Sequence, residues 1–234
     1  MSSTLALIHT GYLLIPVFSE LCREFLPGVN VFHMLDESLI KNTIAAGTLE
    51  KVAIRRVVGL VGLAREAGAD AVLVTCSSIG PAVEVARQLF QFPVLRVDEA
   101  MATEACRLGK RIGVLATLRT TLEPTVSLLQ VTAEKLGRDS EIVSCLCEGA
   151  YDAVVAGDTA THDRLLAAKL AEVAGLVDVI VLAQASMAGA LKRMLAAEPG
   201  VPILSSPELA IRQTKDVLLA LNPDRGAPDL ALTL

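Results

Sequence analysis

The chain has 234 residues and a mass of 24.6 kDa, which corresponds to one large domain or two half-size ones. Hydrophobic residues make up 53% of it and charged residues 20%, a balance that excludes an intrinsically disordered chain. The net charge is −5 and no basic run occurs, which argues against a nucleic-acid partner.

Short apolar runs alternate with longer amphipathic stretches, and aromatic residues are only 3% of the chain. This pattern predicts an α/β fold in which parallel strands of small aliphatic residues are covered by helices on both faces. The predicted strands are, in chain order, residues 5–9, 29–34, 71–75, 94–97, 112–116, 141–145, 179–183 and 203–204. The predicted helices are residues 15–25, 49–67, 80–90, 98–108, 120–136, 159–175, 187–197 and 207–221.

No segment has the pattern of a membrane span or a secretion signal. The best candidate, residues 179–191, is shorter than the ~18–20 residues that a spanning helix needs, and Asp178 and Lys192 bound it. The N-terminus lacks the basic region of a signal peptide. We therefore expect a soluble, cytoplasmic protein.

The most informative feature is an internal repeat. Four pairs of landmarks recur in the same order at offsets of 107 to 109 residues: Thr10/Thr117, Asp70/Asp178, Cys76/Gln184 and Pro93/Pro202. A nearly constant offset over so many landmarks predicts two similar α/β lobes. The first comprises residues 1–97 and 207–221, the second comprises residues 98–206, and residues 222–234 form a C-terminal tail.

The repeat also predicts where a ligand binds. In open parallel sheets, ligands bind beyond the carboxyl ends of the strands. Two lobes related by a pseudo-two-fold axis would place the residues that follow matching strands on the two walls of one cleft. These residues are His9, Thr10, Cys76, Ser77, Ser78, Thr117, Gln184, Ala185 and Ser186.

Cys76 is the candidate catalytic residue. It follows a buried strand and precedes a turn into a helix, where free N–H groups favour a thiolate and could hold a carboxylate or enolate oxygen. The alternative is a buried cysteine that only packs. The other four cysteines lack this context, and their pattern supports neither a disulfide scaffold nor a zinc site.

Thr117, Thr120 and Thr121 lie between a strand and a helix. One hydroxyl suffices to cap a helix, so the additional hydroxyls suit carboxylate or phosphate binding. Gln184 follows a buried strand, where an amide either contacts a ligand or joins two loops.

The three histidines are less informative. His9 is expected to face the cleft as an acid, base or substrate contact. His33 is expected to be a core residue, and His162 a solvated helix cap. Asp36 is interpreted as a helix cap.

The sequence resembles the aspartate/glutamate racemase superfamily over almost its whole length. The resemblance is carried by three strand-end motifs, which end at Cys76-Ser-Ser, at Thr117-Leu-Arg-Thr120-Thr121 and at Gln184. Members are racemases, isomerases and decarboxylases with two pseudosymmetric flavodoxin-like lobes, and they need no cofactor. In the racemases two cysteines face each other across the substrate. Cys76 matches the first cysteine, Gln184 occupies the position of the second, and His9-Thr10-Gly11 replaces the usual acidic start motif.

The resemblance implies a cofactor-independent isomerase, racemase or lyase acting at the α-carbon of a small carboxylic acid, without a metal. Cys76 would protonate an enolate after decarboxylation, add as a nucleophile to an unsaturated diacid or carbonyl, or act as one base of a racemase. The alternatives are a single-cysteine decarboxylase of a malonate-type acid, a non-catalytic carboxylate binder and a phosphate-binding sugar enzyme. We also expect a homo-oligomer that binds neither nucleic acid nor membranes.

Overall fold

The computed structural model describes residues 2–194 and 200–221. The predicted C-terminal tail, residues 222–234, lies outside the described residues. Within the described ranges, no helix is long and apolar enough to cross a lipid bilayer.

The described residues form two four-stranded parallel sheets, which confirms the α/β fold. Their strands are β1 (Thr4–His9), β2 (Asn30–Leu35), β3 (Ala71–Val74), β4 (Val94–Arg96), β5 (Arg111–Ala116), β6 (Glu141–Leu146), β7 (Val179–Leu182) and β8 (Ile203–Ser205). The first sheet has the order β2-β1-β3-β4 and the second the order β6-β5-β7-β8. The predicted strand positions agree with these within one or two residues at each end.

Helices cover both sheets. They are α1 (Leu14–Phe25), α2 (Glu37–Ala46), α3 (Lys51–Glu66), α4 (Pro81–Leu89), α5 (Glu99–Leu108), α6 (Arg119–Lys135), α7 (Ala150–Val155), α8 (Thr159–Ala174), α9 (Met187–Met194) and α10 (Ser206–Leu221), with a 3-10 turn at Ser77–Ile79. The sequence pattern did not predict α2 and α7. Both helices are short, with ten residues in α2 and six in α7.

The internal repeat is visible as repeated hydrogen bonds. The Asp70 carboxylate accepts from the backbone N–H of Thr4 at 2.8 Å, and the Asp178 carboxylate accepts from that of Arg111 at 2.8 Å. Each aspartate therefore fixes the start of the first strand of its sheet against the start of the third. In the parallel register, Ile8 lies opposite Val74 in one sheet and Leu115 lies opposite Leu182 in the other.

The core is aliphatic, as the composition predicted. Every residue of β3 and β7 is fully buried. One face of the first sheet packs on α3 and α4, and the other packs on α1 and α10. The second sheet is enclosed by α5 and α6 on one face and by α8 and α9 on the other. Because a buried aliphatic side chain contributes about 1.5–3 kcal/mol, these layers hold the strand ends firmly in place.

The two lobes contact each other through α10 and through the 3-10 turn. Helix α10 packs on α1 of the first lobe and on α5 of the second. The 3-10 turn after β3 packs on α6. Both contacts bring the carboxyl edge of one sheet toward the carboxyl edge of the other.

Candidate functional site

The residues that follow four central strands meet at the junction of the lobes. Thr10 follows β1, Cys76 lies just beyond β3, Thr117 follows β5 and Gln184 lies just beyond β7. Across the junction, the Ser78 hydroxyl lies 2.6 Å from the Thr121 hydroxyl, and this hydrogen bond is buried. The strand ends of both lobes therefore form a single candidate site.

Cys76 is the cap residue immediately before the 3-10 turn and is partly buried. Burial raises the pKa of its thiol, and four donors act in the opposite direction: the hydroxyls of Thr10 and Ser78 and the backbone N–H groups of Ser78 and Ile79. The Cys76 side chain makes no cap hydrogen bond to the turn. Burial is the larger influence, so Cys76 rests as a protonated thiol with thiolate-stabilising donors around it.

The second lobe repeats this arrangement with an amide. The Gln184 Oε1 atom accepts from the backbone N–H of Thr117 at 2.6 Å, and the Gln184 Nε2 atom donates to the Thr117 hydroxyl at 2.8 Å. Thr10 and Thr117 thus serve as partners of Cys76 and Gln184 respectively. Of the two interpretations of Gln184, this geometry supports the one in which the amide joins two loops.

The other predicted site residues are spread around this junction. Ser77 is buried, and its hydroxyl has no partner among the described residues. Ser186 is exposed. Ala185 is buried in the apolar cluster of the first lobe, although it belongs to the second. Its methyl group therefore packs between the lobes, and only its backbone is available for hydrogen bonding to a ligand.

The three threonines of the second lobe separate into different environments. Thr117 holds Gln184, and Thr121 contacts Ser78. Thr120 instead lines a cavity of about 800 Å³ between α3, α4, α5 and α6. Neither Cys76 nor Gln184 lines that cavity, so its volume does not measure the room around the thiol. The buried Thr120 hydroxyl has no partner among the described residues.

His9 does not face the cleft, and this expectation requires correction. Its ring is fully buried beneath the strand ends, with Nδ1 2.8 Å from the Thr75 hydroxyl and Nε2 2.9 Å from Nδ1 of His33. His33 in turn lies 3.0 Å from the Ser19 hydroxyl. Burial, and then the neighbouring His33, lowers the pKa of His9 to about 4. His9 is therefore a neutral member of a buried hydrogen-bonded chain that ends at Thr75, next to Cys76.

The sequence-based interpretations of His162 and Asp36 as helix caps had opposite outcomes. His162 is buried rather than solvated, and it lies 2.9 Å from the Asp163 carboxylate. Asp158 is the residue that caps α8, through the backbone N–H of Thr161. The interpretation of Asp36 as a helix cap is confirmed, since its carboxylate accepts from the backbone N–H of Ser38.

Tyr151 lies on α7, a helix that the sequence pattern did not predict. Its side chain is partly buried. Burial, then Cys76 and Asp152, raises the pKa of its phenol. The influence of Cys76 on the phenol belongs to the thiolate form of the cysteine. Gly149 precedes α7 in the left-handed conformation at φ 76°, so this glycine indicates a turn in the sequence and not the start of a helix.

A metal site finds no support in the part of the chain that the structure describes. Groups of three or more His, Cys, Asp or Glu side chains with suitable geometry are absent from residues 2–194 and 200–221. The polar groups that directly follow the four central strands and face the junction are hydroxyls, backbone N–H groups, the Gln184 amide and the Cys76 thiol. This set can bind a carboxylate and exchange a proton.

The fold and the site together define the class of protein: two-lobed α/β proteins with pseudosymmetric parallel sheets and a thiol at the carboxyl ends of the strands. Residues 9–214 match the model of the Asp/Glu/Hydantoin racemase family, and the chain belongs to that family. The family resemblance inferred from the sequence is thereby confirmed.

Solved structures of this family share the fold. A glutamate racemase isoform from Bacillus anthracis is 20% identical, with a TM-score of 0.73 over 94% of this chain and 83% of its own. A glutamate racemase from Francisella tularensis in complex with D-glutamate is 15% identical, with a TM-score of 0.75 over 97% and 84%. An allantoin racemase from Klebsiella pneumoniae is 18% identical, with a TM-score of 0.61 over 100% and 97%.

A curated relative is an uncharacterized protein of Schizosaccharomyces pombe. It is 27% identical over 149 residues, which cover 62% of this chain and 61% of the relative. The chain thus spans about 61% of the length of that relative.

Replacing His9 by Gln should reduce the dependence of stability on pH between about pH 6.5 and 4. The pKa of His9 is lowered from 6.5 to about 4, so in this window the unfolded chain binds a proton that the folded protein does not. Wild-type stability therefore falls as the pH falls, by about 3 kcal/mol from this group. Urea unfolding at both ends of the window measures the difference. An equal difference in wild type and His9→Gln would contradict the neutral, buried histidine.

Replacing Thr10 by Val should slow alkylation of Cys76 by iodoacetamide near neutral pH by about tenfold. The variant keeps the shape of the side chain but removes a hydroxyl that lowers the thiol pKa, and a hydrogen bond to a charged group is worth about 1.5–3 kcal/mol. Thr117→Val is the matched control, because Thr117 holds Gln184 in the other lobe. Equal slowing in both variants, read by peptide mass spectrometry, would refute the specific role of Thr10.

Proposed function

We propose that the protein is a cofactor-independent isomerase or lyase that acts at the α-carbon of a small carboxylic acid, with Cys76 as the acid or base. The observation that carries the proposal is the position of Cys76 at the carboxyl edge of the first sheet, among donors that stabilise a thiolate. Membership of the racemase family supports the reaction class.

The substrate carboxylate is proposed to bind at the junction of the lobes. The Ser77 hydroxyl is buried and has no partner among the described residues, and the backbone N–H groups of Ser78 and Ile79 lie beside Cys76. Such groups bind anions and stabilise the oxygen of a developing enolate. Ser78 and Thr121 already connect the two walls through their hydroxyls, so a substrate here would contact both lobes.

The raised pKa of Cys76 gives the thiol a defined starting state. Burial keeps the free thiol protonated, so Cys76 is ready to give its proton to a carbanion. The same hydroxyls and N–H groups then stabilise the thiolate that remains. To act first as a base, Cys76 would have to lose its proton on substrate binding.

Because Gln184 stands opposite Cys76, the proposed site is one-sided: only one face of the substrate meets a group that can transfer a proton. An amide cannot shuttle a proton, and both polar ends of this one are already bonded to Thr117. Proton transfer would therefore take place on the Cys76 side of the substrate.

The one-sided arrangement favours a second candidate, a decarboxylase of a malonate-type acid. Cleavage of the bond to one carboxylate releases carbon dioxide and leaves the electron pair on the α-carbon as an enolate. The Cys76 thiol then gives its proton to that carbon, and solvent returns a proton to the thiolate. A single acid on one face would yield a single enantiomer.

A screen in heavy water tests the proposal. Substituted malonates, α-amino acids, α-hydroxy acids and maleate are incubated with the protein and followed by proton NMR. We expect deuterium at the α-carbon of one acid, at a rate about 100-fold or more lower in Cys76→Ser, since general acid–base groups contribute that much. Cys145→Ser is the control, because Cys145 lies on β6 outside the site.

Exchange that persists in Cys76→Ser would refute the role of Cys76. If no acid reacts, but one protects Cys76 from alkylation in a saturable manner, the protein is a carboxylate binder and not an enzyme.

Replacing Gln184 by Cys should convert one-sided into two-sided proton transfer. The new thiol would lie where the N–H and hydroxyl of Thr117 now hold the amide, as Thr10 serves Cys76. Chiral chromatography of the product should show one enantiomer from wild type and a mixture from Gln184→Cys. Gln184→Ser, which shortens the side chain without adding a thiol, should stay one-sided. A racemic product from wild type would refute the one-sided site.

A further inference from the structure

Arg96 is a buried arginine at the crossing from the first lobe to the second. It ends β4, three residues before α5 begins at Glu99 with Asp98 as its cap residue, and only 4% of its surface is exposed. Its Nε donates to one carboxylate oxygen of Asp98 at 3.0 Å and its Nη2 to the other at 3.0 Å. Asp98 is fully buried. A buried charge is costly unless it is paired in this way, so the pair fixes the plane of the guanidinium.

The guanidinium lies directly against Gly80. A Cβ atom on Gly80 would be 2.7 Å from Cζ, Nε and Nη2 of Arg96, closer than side-chain atoms approach. The backbone of Gly80 has φ −51° and ψ −40°, a conformation that any residue adopts. Glycine is therefore needed here for space, because the guanidinium occupies the volume of a side chain.

Gly80 closes the turn that carries the donors of Cys76. Its backbone N–H donates to the carbonyl of Ser77 at 3.0 Å, and the N–H of Ile79 donates to the carbonyl of Cys76 at 3.3 Å. The position of this turn decides how close the N–H groups of Ser78 and Ile79 come to the sulfur. The turn therefore contacts the Arg96 guanidinium through Gly80 at one end, and Cys76 precedes it at the other.

We propose that Arg96, held by Asp98, is a positioning residue that sets the distance between the 3-10 turn and the sulfur of Cys76. It acts through shape, since the Asp98 carboxylate balances its charge beside the turn. The inference rests on the proposed role of Cys76. It adds a residue in the lobe crossing on which the reactivity of the thiol depends.

The test measures the alkylation rate of Cys76 against pH in the full chain, with the modified peptide identified by mass spectrometry. Gly80→Ala forces the turn away from the guanidinium. We expect the midpoint of the pH profile to rise by about one unit, which is a tenfold slower reaction at fixed pH. Gly59→Ala is the matched control, because a Cβ there meets nothing within 4 Å, and it should keep the wild-type profile.

A double-mutant cycle shows whether the guanidinium is the cause. In an Arg96→Met/Asp98→Asn background there is no guanidinium for a Cβ at position 80 to meet. Adding Gly80→Ala should then shift the profile by less than half of its shift in wild type. If that background does not fold by circular dichroism, Arg96→Lys replaces it, since lysine keeps the charge but lacks the flat group.

Two results would overturn the proposal: a profile for Gly80→Ala equal to that of Gly59→Ala, or a full shift in the background without Arg96. Alkylation needs no substrate, so it is read separately from the heavy-water screen. Failure of the screen with the predicted alkylation pattern would remove the proposed function and leave the positioning role intact.

Discussion

The parallel pairing of the first and third strands in each sheet is the constraint on which the site depends. The backbone N–H of Thr75 donates to the carbonyl of Ile8 at 3.0 Å, and that of Ala183 donates to the carbonyl of Leu115 at 2.8 Å. These two hydrogen bonds are the last ones of the matching strand pairs, so the pairs end at equivalent positions in the two sheets. Cys76 and Gln184 are the next residues, and the threonines that follow β1 and β5 lie beside them. A slip of register by one residue would turn these side chains to opposite faces of the sheet.

A symmetric scaffold carries an asymmetric pair of side chains. The repeated aspartates, threonines and strand ends give both lobes the same positions at the junction, while one lobe presents a thiol and the other an amide. The thiol is surrounded by donors that favour its charged form against a burial that opposes it. The amide is satisfied within its own lobe. The chemistry proposed for the protein follows from this difference rather than from the shared fold.

Much of the architecture could be predicted from the sequence because it is set locally. Apolar runs, the landmark offsets and the helix-start residues indicated eight strands and a duplicated unit, and they placed Cys76 and Gln184 at strand ends. The orientation of His9 was also open to prediction. Leu5, Leu7 and His9 alternate on one strand, so all three side chains share the face that α1 and α10 bury.

The features that could not be predicted depend on contacts between distant residues. Tyr151 lies on a six-residue helix that follows β6 and is too short to show an apolar period. Arg96 lies in an apolar run and gives no sign of its role, because its contact with Gly80 arises only when β4 packs beside the turn after β3. The bond between Ser78 and Thr121 joins residues of different lobes. Neither periodicity nor motif spacing carries information about such pairs.

A crystal structure with malonate bound is the most direct measurement of the central claim, that the α-carbon of a small acid lies beside Cys76 at the junction of the lobes. The account predicts carboxylate oxygens on the N–H groups and hydroxyls of the 3-10 turn. It also predicts an α-carbon about 3–3.5 Å from the Cys76 sulfur, the separation expected for reacting atoms, with the Gln184 amide on the opposite face. Malonate bound only in the cavity along α6, or with its α-carbon turned away from Cys76, would contradict it.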